Sequence, residues 1–154
     1  MIREYYEFLK NQLLNILDGK ILAIIVFGSS IYWGKGRDLD VVVIIENSIN
    51  YKEKLGIEYE IAKQLQKRLE KNIDIHVFGY RDFLENLVPG SFLAGLALGY
   101  EIIYDRIGIE KYIFEYLERL SKEKYVLVNE YGEWRIDHHA RVTLSLRKKR
   151  VQGR

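Results

Sequence analysis

Two aspartates separated by one residue, Asp38-Leu39-Asp40, follow ten positions after a Gly28-Ser29 pair. On an extended backbone, residues i and i+2 share a face with Cα atoms about 6–7 Å apart. Two carboxylates so placed can flank one divalent cation or bracket a pair of cations roughly 3.5–4 Å apart. Phosphoryl and nucleotidyl transfer need such a site, because charge builds on oxygens that Mg2+ neutralises better than any side chain does. Gly28 permits a turn tight enough for a phosphate to approach the backbone. Ser29 can give its N–H and its hydroxyl to a phosphate oxygen, Ser30 extends that cradle, and Lys35 and Arg37 lie close enough in sequence to neutralise a triphosphate. A third acid, Asp74, sits in Asn72-Ile73-Asp74-Ile75-His76, flanked by β-branched residues. Acids inside apolar strands are costly unless compensated. A shared cation is one compensation; solvation of each acid at a strand end is the other.

These residues need strands to carry them. Ile21 to Phe27 is a continuous apolar run, which reads as a buried strand ending at Gly28. A glycine-rich loop with Gly34 and Gly36 follows, and Leu39 with Val41 to Ile45 predicts a second buried strand entered through Asp38 and Asp40. Ile73, Ile75 and Val77 alternate with Asp74, His76 and Phe78 in a third strand, so His76 shares the face of Asp74. Helices are expected over 2–17, from Ile2, Tyr5, Leu9, Leu13 and Ile16, and over 51–70, from Leu55, Tyr59, Ala62, Leu65 and Leu69. Short helices follow at Tyr80–Leu87 and Ser91–Leu98, then a strand at Glu101–Tyr104 and a helix over Ile109–Leu120. Tyr125–Val128 and Glu133–Ile136 flank Tyr131-Gly132 as in a hairpin. Beyond Asp137 the pattern fits either a strand, from Val142, Leu144 and Leu146, or a helix capped by Asp137. The order implies an α/β (α+β) fold, a small mixed sheet flanked by helices.

Gly28-Ser29, the strand-borne Asp38-Leu39-Asp40 and the later Asp74 resemble the DNA polymerase beta-type nucleotidyltransferase superfamily. In size the chain is most similar to its minimal nucleotidyltransferases, which are often paired with HEPN-domain partners. The resemblance spans roughly residues 2–105. It implies a nucleotidyltransferase domain at 1–105; residues 106–154 lie beyond it, and their own pattern reads as a helix, hairpin and basic tail packing on the same domain. It further implies that Gly28 and Ser29 hold the triphosphate, that Asp38, Asp40 and Asp74 are catalytic metal ligands for Mg2+ or Mn2+, and that Asp74 serves the acceptor hydroxyl. An NTP, with ATP the expected donor, would yield its NMP to a hydroxyl acceptor such as a HEPN-type toxin. The chain departs from the family where Ser30-Ile31-Tyr32-Trp33-Gly34 replaces an Arg-Ala-Arg-Gly-like stretch, which shifts the cationic role to Lys35 and Arg37. Two readings stay beside this one: a non-catalytic module that inhibits a partner by docking, and an RNA-binding accessory protein.

Composition narrows the setting. The 154 residues are 48% hydrophobic and 30% charged, a balance suited to one globular domain. The apolar run at 21–27 is too short to cross a bilayer, Cys is absent, and the start carries Glu4 and Glu7 where a secretory leader would be basic and then apolar, so a cytoplasmic protein without membrane association is expected. Charge is uneven: residues 131–154 hold seven Lys/Arg against two acids, a local +5 within a net +2. That basic end could meet nucleic acid or an acidic partner, or simply be solvated. Residues 109–136 are expected to complete the core or form a homodimer contact, and residues 147–154 to be mobile. Trp33 could stack on a base, and His138-His139 diverge on any regular backbone, which argues against a joint metal role.

Overall fold

An apolar run without a polar position must be covered on both faces. In a computed structural model, which describes residues 2–17, 19–28, 31, 38–46, 48–66, 72–129 and 132–152, that run is the inner strand β1 (Ile21–Phe27). It pairs antiparallel with β2 (Asp38–Ile45) on one side and with β4 (Tyr100–Asp105) on the other. β3 (Asn72–Gly79) runs parallel to β2, so among the described residues the main sheet reads β3-β2-β1-β4. Parallel strands cannot be joined by a tight hairpin. The crossover here is α2 (Tyr51–Gln66), opened by a reciprocal cap in which Glu53 N–H donates to Asn50 Oδ1 at 2.8 Å and Asn50 Nδ2 donates to the Glu53 carboxylate at 2.6 Å. The fold is thus α/β with a mixed sheet flanked by helices, as its sequence implies.

Side-chain alternation divides the sheet into two core layers. Ile24 and Val26 of β1, Val41 and Val43 of β2, and Ile75 and Val77 of β3 pack with Leu9 and Leu13 of α1 (Ile2–Leu17) and with Ile61 and Leu65 of α2. The opposite layer joins Ile25, Phe27, Val42 and Ile44 to α3 (Tyr80–Glu85), a 3-10 helix (Phe92–Leu98), α4 (Glu110–Ser121) and α5 (Ile136–Gln152). Ile113, Tyr116, Leu117, Leu120, Ile136 and Ala140 all belong to that second layer, so α4 and α5 complete the core. Between them lies the hairpin of β5 (Val126–Asn129) and β6 (Gly132–Arg135).

Three expectations need correction or resolution. Leu55 and Tyr59 of α2, read as core positions, are 47% and 66% exposed; Leu65 is buried as expected, and Ile61, not among the expected positions, is buried with it. The ambiguous stretch after Asp137 is helical, which leaves Val142 and Leu146 exposed and turns Leu144 inward. The basic run is not free through residue 152. Arg147 donates to Glu110 at 2.6 Å and to the Tyr100 carbonyl at 2.7 Å, with its guanidinium 4.0 Å from the centre of the Tyr100 ring. Lys148 pairs with Glu118 and Arg150 with Glu101. A run of like charges hides this in the sequence, because only the fold shows which acids meet each turn of the helix.

Arg147 is 11% exposed and satisfies a carboxylate, a carbonyl and an aromatic face together. Arg147→Ala should therefore cost about 2–3 kcal/mol, through polar groups left unmatched and lost stacking. Thermal melting should register this as a fall of roughly 5–10 °C, and deletion of 147–154 should lower the melting temperature at least as much. An unchanged melting temperature would return the segment to the status of a solvated tail.

Asp137 at the start of α5 is buried and accepts from Arg135 Nε and Nη2 at 3.0 and 2.8 Å and from Arg141 at 3.1 Å. The Arg135 hydrogen bonds hold its carboxyl well below the usual carboxylate range. A folded-state pKa below the unfolded one, about 3.9, contributes stability that is fully present above that value and is lost as pH falls towards the folded value. Asp137→Asn should be less stable than wild type at neutral pH, with the difference shrinking below about pH 4. Denaturant titrations at neutral and acid pH test this; parallel pH profiles for the two proteins would count against it.

Candidate functional site

The registers bring the predicted acids to one end of one sheet face. Asp40 of β2 lies directly opposite Asp74 of β3, while Asp38 lies opposite Asn72. Adjacent strands sit about 4.8 Å apart, so Asp40 and Asp74 are cross-strand neighbours of like charge. On its other side Asp40 faces Phe27, the last residue of β1, and Gly28 follows at once. Gly28 is buried with φ +113°, a conformation that side-chain-bearing residues rarely adopt, and its carbonyl accepts from Ile31 N–H at 2.9 Å. The glycine turn and the acid pair are thus adjacent. Ser29, Ser30, Lys35 and Arg37, together with Trp33, lie outside the described residues, as does the Asp38 side chain; only the backbone of Asp38 is placed, on the same face as Asp40.

Asp40 is 28% exposed, and Asp74 is exposed. His76 does not turn to Asp74, its neighbour along β3, but sets Nε2 3.2 Å from Asp40 Oδ1. An ionised carboxylate only accepts, so in that contact Nε2 carries the hydrogen. The His76 ring lies 4.4 Å from the ring of Phe92, which is 43% exposed at the start of the 3-10 helix. Phe92 also lies 5.7 Å from Phe27 and stacks on Phe78 at 6.1 Å. This aromatic wall beside the acids is not legible in the sequence, since Phe27, Phe78 and Phe92 come from three separate elements. The His76–Asp40 contact had one available signal, a shared face, but choosing between Asp40 and Asp74 required the strand register.

Behind the wall the packing is close. A Cβ built on Gly95 would lie 3.0 Å from the Phe27 ring, so the 3-10 helix rests directly on the side chain that precedes Gly28. Ser91 opens that helix, its hydroxyl accepting from Leu93 N–H at 3.2 Å. On the outer edge of β3, Glu58 accepts from Val77 N–H at 2.8 Å and Lys54 donates to the Val77 carbonyl at 2.7 Å. Side chains of α2 thereby occupy main-chain groups that a sheet edge would leave open.

Carboxylate oxygens on neighbouring strands are the donors a hard divalent cation prefers. Asp40 and Asp74 place oxygens of that kind at facing register positions, and His76 contacts the Asp40 carboxylate. Among the described residues no group of three His, Asp or Glu side chains is gathered to hold a metal, and the carboxylate of Asp38, expected to bind metal together with Asp40, is outside that set.

No protein-family model matches the chain, and no curated protein matches it. Among solved structures it is similar to a complex of tri-AMPylated Shewanella oneidensis HEPN toxin with MNT antitoxin, at a TM-score of 0.49 and 13% identity over 74% of this chain and 85% of that one. A toxin-antitoxin with AMP-PNP gives 0.48 and 14%, over 71% and 85%. The spectinomycin adenyltransferase AAD(9) from Enterococcus faecialis, with ATP and spectinomycin, gives 0.45 and 13%, over 78% and 68%. At these scores and identities the likeness goes no further than overall shape, and what the site can do rests on its own residues.

If Asp40 and Asp74 share a cation, Mg2+ or Mn2+ should stabilise the folded chain, by about 2.7 kcal/mol at a hundredfold excess over Kd. Asp40→Asn should stay folded and lose most of that response in a thermal-shift titration. A destabilised Asp40→Asn whose metal response matches wild type would mark Asp40 as a structural acid.

Proposed function

We propose that the chain is a nucleotidyltransferase that moves an NMP, with ATP as donor, to a hydroxyl acceptor. The observation that carries this reading is the register: Asp40 stands between Asp74 on one strand and the residue before the positive-φ Gly28 on the other. Carboxylates and an anion-accepting turn are thereby neighbours, which a triphosphate with its counter-cation requires. Asp38, Asp40 and Asp74 would hold Mg2+ or Mn2+, which when bound would neutralise charge on the phosphate oxygens. Gly28 lets the triphosphate approach the backbone. Ser29 and Ser30 donate to it, and Lys35 and Arg37 supply the charge that the family's Arg-bearing loop provides elsewhere. His76 holds the Asp40 carboxylate in one orientation, and Asp74, the more exposed acid, faces the acceptor. The division into a nucleotidyltransferase unit at 1–105 and a supporting segment at 106–154 belongs to the same proposal.

On the motif's resemblance, the acceptor proposed is a HEPN-domain protein in a cytoplasmic toxin-antitoxin pair. No helix among the described residues is long and apolar enough to cross a membrane. The RNA-binding reading loses its main support, since Arg135, Arg141, Arg147, Lys148 and Arg150 are all engaged by acids of the same chain. Ion pairs of this kind must be broken before their cations can serve phosphates.

The test is incubation with ATP labelled at the α-phosphate, Mg2+, and the HEPN-type product of an adjacent gene. Label should move to the protein acceptor, disappear with Asp40→Asn, and fall about 10–100-fold with His76→Ala. Transfer from γ-labelled ATP instead would indicate a kinase. ATP binding without any transfer would leave a docking module.

A further inference from the structure

The face of α2 that looks away from the sheet carries apolar side chains that no described residue covers. Tyr51, Leu55 and Tyr59, spaced four residues apart, are 73%, 47% and 66% exposed. Beside them runs an open groove of about 710 Å³ lined by Ile16, Leu17, Ile57, Tyr59, Glu53 and Glu60. Gly56 lies in the middle of this face, and a Cβ built on it would meet nothing within 4 Å. Glycine weakens a helix interior, and no contact among the described residues calls for one here. A bare backbone patch at the centre of an exposed apolar face is what close approach of a second helix uses.

We infer that this face is a two-fold contact with a second copy of the chain, α2 crossing α2 antiparallel at Gly56. The charges favour a copy over an unlike partner. The face holds Lys52 and Lys63 against Glu53 and Glu60, so it is neutral and does not repel itself. A two-fold axis at Gly56 brings residues equally distant from it in sequence to the same level. Lys52, four residues before Gly56, is then level with Glu60 of the partner, four residues after it, each about 6 Å along the axis from the centre. The pair occurs twice by symmetry, as an isologous contact requires. Leu55 and Tyr59 gather with their symmetry mates around the axis, and the grooves take the rim of the facing helix. Because α2 covers the sheet face opposite the Asp40–Asp74 site, both sites stay open in the dimer.

Sedimentation analysis of the full chain, up to about 1 mM, tests this without reference to catalysis. The expected mass rises from monomer to dimer with concentration. Gly56→Leu, which cannot harm helix formation, should weaken association at least tenfold, as should Leu55→Lys. Lys52→Glu alone and Glu60→Lys alone should each weaken it several-fold, and the double exchange should restore it. A monomer at every concentration overturns the inference. So does a dimer indifferent to Gly56→Leu and Leu55→Lys, or one that the double exchange fails to rescue.

Discussion

Parallel pairing of β2 with β3 sets one carboxylate beside another, and much of the surrounding structure answers to that juxtaposition. Asp40 and Asp74 are register partners on the same face, so whatever holds the strands together also holds two like charges near 5 Å apart at the backbone. The pairing is secured elsewhere along the strands. Val41, Val43 and Ile45 face the same layer as Ile73, Ile75 and Val77, and these six side chains are almost wholly removed from water. A one-residue slip would move all of them to the other face, so the register is strongly specified. The core layer on one side of the sheet thereby fixes the geometry of the acids on the other.

Support from the opposite side comes through the C-terminal half. The 3-10 helix lies on Phe27, and α5 lies on that helix, where Thr143 donates to the Ala97 carbonyl at 2.6 Å. Arg147 ties the same helix to β4 through Tyr100 and to α4 through Glu110. Burial pushes the Tyr100 hydroxyl far above its ordinary pKa, and it stays a neutral donor to Glu110 at 2.9 Å. Because β4 is the strand next to β1, these contacts brace the strand that delivers Gly28. The segment after Asp105 thus supports the site without contributing an acid to it.

How much of this could be read from the sequence follows from the range of each interaction. The run at 21–27, the alternation at 73–78 and the Asp38-Leu39-Asp40 spacing are local, and they give β1, β3 and the shared face of the acids. A glycine after a buried strand is local too and permits a tight turn there, but because glycine adopts either sign of φ, its positive φ is known only from the structure. Burial on α2 was misread because Leu55 and Tyr59 satisfy helical spacing as well as Ile57, Ile61 and Leu65 do. Periodicity gives a stripe but not which of two neighbouring stripes meets the sheet. The basic end was misread because its acid partners are far away in sequence: Glu110 lies 37 residues before Arg147, and Glu101 lies 49 before Arg150. Pairing at that separation is decided by tertiary packing, which no local pattern records.

The aromatic wall shows how the two halves of the molecule converge on one carboxylate. Asp40 Oδ1 is held by His76, His76 is held against Phe92, and Phe92 starts the helix whose glycine admits the Phe27 ring. Phe27 in turn is the register partner of Asp40. The chain of contacts closes on itself, so the orientation of Asp40 and the position of the 3-10 helix are not independent. A larger residue at Gly95 would press on the Phe27 ring, the nearest side chain, and through it on the strand end that becomes the Gly28 turn. Close packing transmits such displacements because dense interiors have little free volume to absorb them. That coupling explains the placement of a glycine inside a 3-10 helix more than ten Cα positions away in sequence from any of the acids. The residue serves the site through the side chain it leaves room for.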